Sequence, residues 1–296
     1  MSGRTVWFPG HMAKGERRLG ELLEKLDLVI EVRDARAPFS TSSPLIGAIA
    51  RVKPVVLVLS KKDLADPGRT AVWMNELTKQ GAYGGNAYES DVYGHDAHVA
   101  WAFDLRKDSL APLRNFLPRF SPTHRELRLA VVGIPNVGKS LFLNNLIGKS
   151  RAKVGGVPGV TRDVNWYKCG GFLAVDSPGI LDPHAEPGVH RVLSWLGCAK
   201  SEVVGGYEPA ALELIVFLKA RGLWSVVKNK WSIEELDEPT EETLSRIGRR
   251  LGCLVTGGAV DMELAGRRLV DSFASGKLGA VTLELPGEPL WTPKKN

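Results

Sequence analysis

Lys139 and Ser140 close the string Gly133-Ile134-Pro135-Asn136-Val137-Gly138-Lys139-Ser140, which follows an apolar run and precedes a helical pattern. In that setting G-x-x-x-x-G-K-S is a phosphate cradle. Backbone amides at the helix N-terminus wrap a polyphosphate, the ammonium neutralises its β- and γ-oxygens, and the hydroxyl ligates Mg²⁺. The expected contacts are Asn136, Val137, Gly138, Lys139, Ser140 and Leu141, with Lys139 also acting on the transferred phosphoryl group. Further along, Asp176-Ser177-Pro178-Gly179 ends another apolar run. There Asp176 can hold Mg²⁺ through water and the Gly179 amide can sense a γ-phosphate. A D-x-x-G string alone is usually a turn; its place at a strand end beyond a phosphate loop is what gives it meaning. Between the two, Gly155-Gly156-Val157-Pro158-Gly159-Val160-Thr161 offers a loop ending in a hydroxyl, so Thr161 joins Ser140 and Asp176 as an expected Mg²⁺ ligand.

The base is read from Ser60-Lys61-Lys62-Asp63, which follows the apolar run Val55 to Leu59. The Asp63 carboxylate can accept paired hydrogen bonds from N1 and N2 of guanine, which adenine cannot donate, so GTP and GDP are the expected nucleotides. Lys61 can lie along the base plane with its aliphatic stem. Ser60 stands where the usual N-K-x-D signature has asparagine, and one hydroxyl in place of an amide predicts weaker guanine affinity or selectivity. A second base-contacting loop is expected near Asp104-Leu105-Arg106, although no Ser-Ala signature stands there. The base motif normally follows the phosphate loop; here it precedes it. That order implies a circularly permuted GTPase, in which the segment after Asp176 to Gly179 runs straight into the C-terminal third of the chain.

Ile180 follows the second motif and cannot orient an attacking water as a glutamine would, so slow intrinsic hydrolysis is expected. Asn136 could instead bind a monovalent cation beside the phosphates. His11, in Trp7-Phe8-Pro9-Gly10-His11-Met12, is a second candidate for hydrolysis or partner sensing, with helix capping as its plainer reading.

Short apolar runs at 28–32, 55–59, 99–103, 129–132 and 172–175 have the length and branching of buried parallel strands. Helical spacing recurs between them, over 12–26, 45–51, 69–80, 110–116 and 139–147. The alternation predicts an α/β fold, a P-loop domain with a doubly wound, mostly parallel sheet over residues 1–185. Residues 81–98 read as a surface insertion. A helical domain over 186–290 is expected next, with helices at 189–199, 210–220, 241–251 and 261–275, a strand-like 280–285, and a loose tail at 291–296.

With 296 residues, 44% apolar and 24% charged, the chain can fill a large domain and a smaller one. Cys169, Cys198 and Cys253 are odd in number and widely spaced, which suggests neither a zinc site nor a disulfide framework and fits a reducing compartment. No apolar run approaches the ~20 residues of a membrane span and no secretory h-region is present, so a soluble, unsecreted protein is expected. The first acidic residue, Glu16, comes after Arg4 and Lys14, a weak likeness to an organelle presequence. Nothing specifies an oligomer, and a monomer is the default expectation.

Trp7 to Lys14, Asp34-Ala35-Arg36, Ser60 to Asp63, Gly133 to Ser140, Pro158-Gly159-Val160-Thr161, Asp176 to Gly179 and Gly252 to Gly258 together closely resemble the RbgA/YlqF family of circularly permuted GTPases. The resemblance implies a GTPase domain followed by a small helical domain that contacts ribosomal RNA. It further implies a role in late assembly of the large ribosomal subunit, with hydrolysis stimulated by the subunit and by K⁺. On that pattern His11 matches the family histidine of activated hydrolysis, and Asn136 the K⁺-coordinating asparagine. Val154 to Gly159 looks more like the mitochondrial branch than the bacterial one, so a mitochondrial matrix is slightly favoured over a bacterial-type cytoplasm. Ser60 departs from the family asparagine, and 81–98 has no counterpart.

Lys and Arg outnumber Asp and Glu by 39 to 33, a formal charge of +6, which suits a polyanionic partner. Arg246, Arg249 and Arg250 share a helical face, Arg267, Arg268 and Lys277 follow, and Lys228, Lys230 and Trp231 form a basic and aromatic cluster suited to phosphate contact with base stacking. The sequence therefore reads as a GTP-hydrolysing assembly factor for the large ribosomal subunit. The alternative is a nucleotide-gated RNA-binding module with little hydrolysis of its own; an ATP-dependent enzyme is disfavoured by Asp63.

Overall fold

The computed structural model describes residues 20–79, 99–148, 152–154, 166–177, 179–182 and 184–292. The chain divides into two compact units, the boundary falling between Asp182 and residue 183. The expected insertion at 81–98, the His11 segment and the Thr161 loop lie outside the described residues.

The first unit is built on a seven-stranded sheet. Its strands are β1 (Leu28–Asp34), β2 (Val55–Ser60), β3 (Ala100–Ala102), β4 (Leu127–Val132), β5 (Ala152–Val154), β6 (Trp166–Cys169) and β7 (Phe172–Asp176). Their spatial order is β3-β2-β1-β4-β7-β6-β5. The first five in that order run parallel, and β6 and β5 fold back antiparallel as an edge hairpin. Helices α1 (Ile46–Ala50), α2 (Pro67–Lys79), α3 (Ala111–Phe116) and α4 (Lys139–Ile147) fall where the 3.6-residue spacing places them. β1 is buried at all seven positions, as a central strand covered on both faces must be. Leu22, Leu26, Val29, Ile49, Trp166 and Ile180 belong to one core cluster, while Leu57, Leu59, Trp73 and Leu77 form another.

Charged side chains interrupt this apolar filling at the C-terminal half of β1. Glu31 and Arg33 are buried there as an ion pair at 2.7 Å, and Glu31 also accepts from the Ser43 amide. Arg33 donates on to the Pro38 carbonyl, so these charges fasten the loop that follows the strand.

The second unit is helical: α5 (Pro187–Trp195), α6 (Tyr207–Ala220), α7 (Ser225–Trp231), α8 (Thr240–Arg250) and α9 (Met262–Ala274). Glu263 of α9 accepts from the Tyr207 and Glu208 amides at 2.9 Å each, satisfying the N-terminus of α6 from a neighbouring helix. Two expectations are corrected here. Residues 280–285 form no strand; they run as irregular backbone in which Val281, Thr282 and Leu283 are buried in succession, so the apolar pattern reports burial and not sheet pairing. Trp291, assigned to a loose tail, packs its ring 5.9 Å from Trp195 and 5.5 Å from Phe217, since an indole gains more in an apolar cluster than in water.

Candidate functional site

Parallel strands bring their C-terminal ends to one edge of the sheet, and every described site motif lies there. Asp34 pairs in register with Ser60, Glu31 with Val132, and Val131 with Asp176. The inverted order of the motifs along the chain is thus undone in space, because β1 lies between the strand of Ser60 and the strand of the phosphate loop.

Gly133 opens that loop at φ 148, and a Cβ there would stand 2.4 Å from the Val32 carbonyl oxygen, so only glycine lets the loop leave β4 this close to β1. Asn136 is exposed and takes φ 60, a left-handed conformation that asparagine tolerates better than most residues. Gly138 caps α4 at φ 102 with no side chain accepting the first-turn amides, and that turn holds no acidic residue. An uncapped first turn of this kind suits an anion, and the helix dipole adds to the attraction. Lys139 is buried and donates to the Ile134 carbonyl at 2.7 Å, which holds its ammonium over the loop.

Ser140 donates to the Asp176 carboxylate at 3.2 Å, bringing a hydroxyl and a carboxylate to the same spot. The protein around Asp176 strips part of its hydration and raises its pKa above the usual aspartate range, against the opposing pull of Lys139 and the Ser140 hydrogen bond. A cation at this spot would relieve that cost. Hard oxygen donors suit Mg²⁺, and among the described residues no group of three or more His, Cys, Asp or Glu forms a different metal centre. Gly179 approaches the phosphate loop so closely that a Cβ on it would lie 2.8 Å from the Pro135 nitrogen. Ile180 turns into the core at 3% exposure, away from the phosphate edge.

Ser60 is wholly buried. Its hydroxyl lies within donating distance of two carbonyls, Arg33 at the end of β1 and Val137 in the phosphate loop. The tie between the base motif and the phosphate loop therefore persists with serine in the asparagine position. Lys61 takes φ 54 and sets its ammonium 2.9 Å from Asp34. Asp63 begins the exposed face of a short 3-10 turn, Lys62–Leu64. The loop at 104–108 packs beside these residues: Lys62 donates its amide to the Phe103 carbonyl at 3.3 Å, and Asn145 of α4 donates to the Leu105 carbonyl.

Asp34 and Arg36 had no assigned role in the sequence. Both are buried, and Arg36 grips the Asp34 carboxylate with Nε and Nη2 at 3.0 and 2.9 Å. Burial raises the Asp34 pKa, but Arg36 and Lys61 together overcome it and hold the carboxyl at about 2. The available signal was an aspartate ending a buried strand with an arginine two positions beyond it.

In the helical unit, Trp231 is buried at 8% exposure and cannot stack on a base; its carbonyl accepts from Arg250. That corrects the aromatic half of the expected cluster. Arg246 is committed to Glu238, Arg249 pairs with Glu242, and Lys228 with Glu234. Lys230, Arg268 and Lys277 are exposed.

Residues 128–247 match a family described as 50S ribosome-binding GTPase, starting at the phosphate-loop strand and leaving Ser60 to Asp63 upstream. "Ribosome biogenesis GTPase A" of Priestia megaterium is 34% identical over 284 residues, covering 95% of this chain and 97% of that one. "Mitochondrial ribosome-associated GTPase 1" of Mus musculus is 33% identical over 302 residues, covering 94% and 89%. Among solved structures, GDP-bound YlqF of T. maritima superimposes with a TM-score of 0.64 at 27% identity, over 92% of this chain and all of that one. Identity of this extent over nearly whole chains, on a sheet that reunites the permuted motifs, places the protein in the ribosome biogenesis GTPase A family of circularly permuted P-loop GTPases.

Proposed function

We propose that this protein is a GTP-hydrolysing assembly factor for the large ribosomal subunit, engaging ribosomal RNA in its GTP form and leaving after hydrolysis. The observation that carries the reading is the closure of the permuted motifs at one sheet edge, with Ser60 reaching the Val137 carbonyl and the helical unit following directly on the Asp176 to Gly179 segment. The names of the bacterial and mitochondrial relatives supply the ribosomal half. They support a bacterial-type cytoplasm and a mitochondrial matrix alike.

In this reading residues 1–185 form the GTPase domain and 186–290 the RNA-contacting domain. Ser60, Lys61 and Asp63 hold guanine, and 136–141 the phosphates. Ser140, Asp176 and Thr161 would hold Mg²⁺, which when bound supplies positive charge against the phosphate oxygens. Asn136, exposed on the phosphate loop, would lend an amide oxygen to K⁺. Lys139 neutralises charge on the transferred group, the Gly179 amide senses the γ-phosphate, and His11 responds to the subunit. With Ile180 turned into the core, no side chain at that position orients water, so turnover waits on the partner.

GTP turnover measured with and without large subunits, in K⁺ and in Na⁺, tests this. A slow basal rate raised strongly by subunits in K⁺ is expected; a rate indifferent to both would overturn the reading. The orientation of Ile180 also favours a second reading, an RNA-binding module gated by nucleotide with little hydrolysis. Single-turnover measurements on the subunit-bound protein separate the two.

A further inference from the structure

Four donors converge on one buried carboxylate beside the base motif. Asp34 Oδ1 accepts from the Arg36 amide and Nε at 3.0 Å each, while Oδ2 accepts from Arg36 Nη2 and from Lys61 Nζ at 2.9 Å each. The carboxylate is itself held in place: the Asp34 amide meets the Thr41 hydroxyl at 3.0 Å, and Thr41 donates to the Ala37 carbonyl at 2.6 Å. Asp34 and Ser60 are register partners at the ends of β1 and β2, and the Ala35 amide donates to the Ser60 carbonyl at 2.9 Å.

An Asp34–Arg36 pair alone would account for a fastened strand end. It does not account for Lys61. That lysine adopts φ 54, a conformation that disfavours a residue with a β-carbon, and its side chain is 23% exposed, against 0% for Asp34. A lysine left to itself would extend into water. Here the turned backbone and the buried anion direct it back across the sheet end, between Ser60, which reaches the phosphate loop, and Asp63. We propose that Asp34 is a positioning residue for guanine binding, holding the Lys61 ammonium so that its aliphatic stem is laid out for the base before nucleotide arrives. Arg36 balances the carboxylate's burial, and the pair leaves one positive charge at the rim of the pocket. Ordering Lys61 in advance removes that cost from the binding step.

This inference rests on the assignment of Lys61 and Asp63 to the guanine pocket, and the test separates the two. Release of fluorescently labelled GDP is followed by stopped flow for wild type, Asp34→Asn, Lys61→Met, the double variant and Asp63→Ala, each checked for cooperative melting. Asp34→Asn and Lys61→Met should each speed release about tenfold, and the double variant should release no faster than Lys61→Met alone. Wild-type release from a folded Asp34→Asn variant, or effects of the two substitutions that multiply, would overturn the inference. Release unchanged in Asp63→Ala would overturn the pocket assignment beneath it. Because Asp34→Asn leaves Arg36 buried without its counter-charge and can unfold, a second measurement uses the intact chain. The Lys61 side-chain ¹⁵Nζ resonance, assigned by comparison with Lys61→Met, should exchange slowly in nucleotide-free protein. Its absence there overturns the inference as well.

Discussion

Asp63 is the residue on which base identity turns, and its chemistry can be inverted. A carboxylate accepts from N1 and N2 of guanine; an amide in its place presents a donor toward N2, where xanthine carries an oxygen instead. Asp63→Asn should therefore lower GTP affinity by about 100-fold, the cost of an unmatched pair of hydrogen bonds to a charged group, and raise affinity for XTP. Competition of both nucleotides against labelled GDP measures this. The exposed position of Asp63 on its 3-10 turn makes a folding defect an unsuitable explanation for any loss. GTP binding as tight as in wild type would remove Asp63 from the base site. The neighbouring Ser60 shows how far a single residue could be read from sequence. That it lacks the asparagine amide was evident, whereas its contact with the Val137 carbonyl, 77 positions away, depends on a close approach that only the fold creates.

At the scale of the element, α4 is left open at one end and closed at the other. Its first turn carries no side-chain cap, while at its last turn Arg114 donates to the Leu146 carbonyl at 2.9 Å and to the Asn145 carbonyl, and the Cys169 thiol lies 3.1 Å from the Ile147 carbonyl. A cation at a helix C-terminus is favoured by the same dipole that favours a phosphate at the other end. Arg114→Met keeps the stem but leaves carbonyls unpaired, at a cost of about 1–3 kcal/mol. A fall in Tm of roughly 2–10 °C is expected by calorimetry, with Lys139 and the phosphate loop intact; an unchanged Tm would mean that water caps the helix equally well. Elements like α4 were legible because eight-residue glycine patterns and helical spacing are local signals. The β5–β6 hairpin was not seen, since strands of three and four residues are too short to show alternation. α7 was read only as a charged cluster. Residues 280–285 carry β-propensity, but propensity cannot say whether a sheet edge will be present. What the buried charges of β1 fasten was equally hidden, because Ser43, Pro38 and Arg36 reach them from the loop beyond the strand.

For the whole molecule, the surplus of six positive charges matters only where cations remain available. Many arginines of the helical unit are spent internally: Arg246 spans Glu238 and the Glu234 carbonyl, Arg221 meets Glu288, and Arg191 meets Glu213. Lys230, Arg268 and Lys277 form no ion pair among the described residues and are exposed. If ribosomal RNA is the partner, these three carry the phosphate contacts that the paired arginines cannot. The combined variant Lys230→Glu, Arg268→Glu, Lys277→Glu should then weaken RNA binding. It should also reduce the slope of log K against log salt by about two to three, since each lost phosphate contact removes roughly one released counterion. Basal GTP hydrolysis and Tm should hold, because all three side chains are exposed and none belongs to the nucleotide motifs. Arg246→Glu makes the contrast: placed against Glu238, it should lower Tm while leaving the salt slope near that of wild type. Filter binding to large-subunit RNA over a salt series, run with calorimetry on both variants, distinguishes a solvated basic surface from a working one. A triple variant with the wild-type slope would assign the RNA contact to another face of the protein.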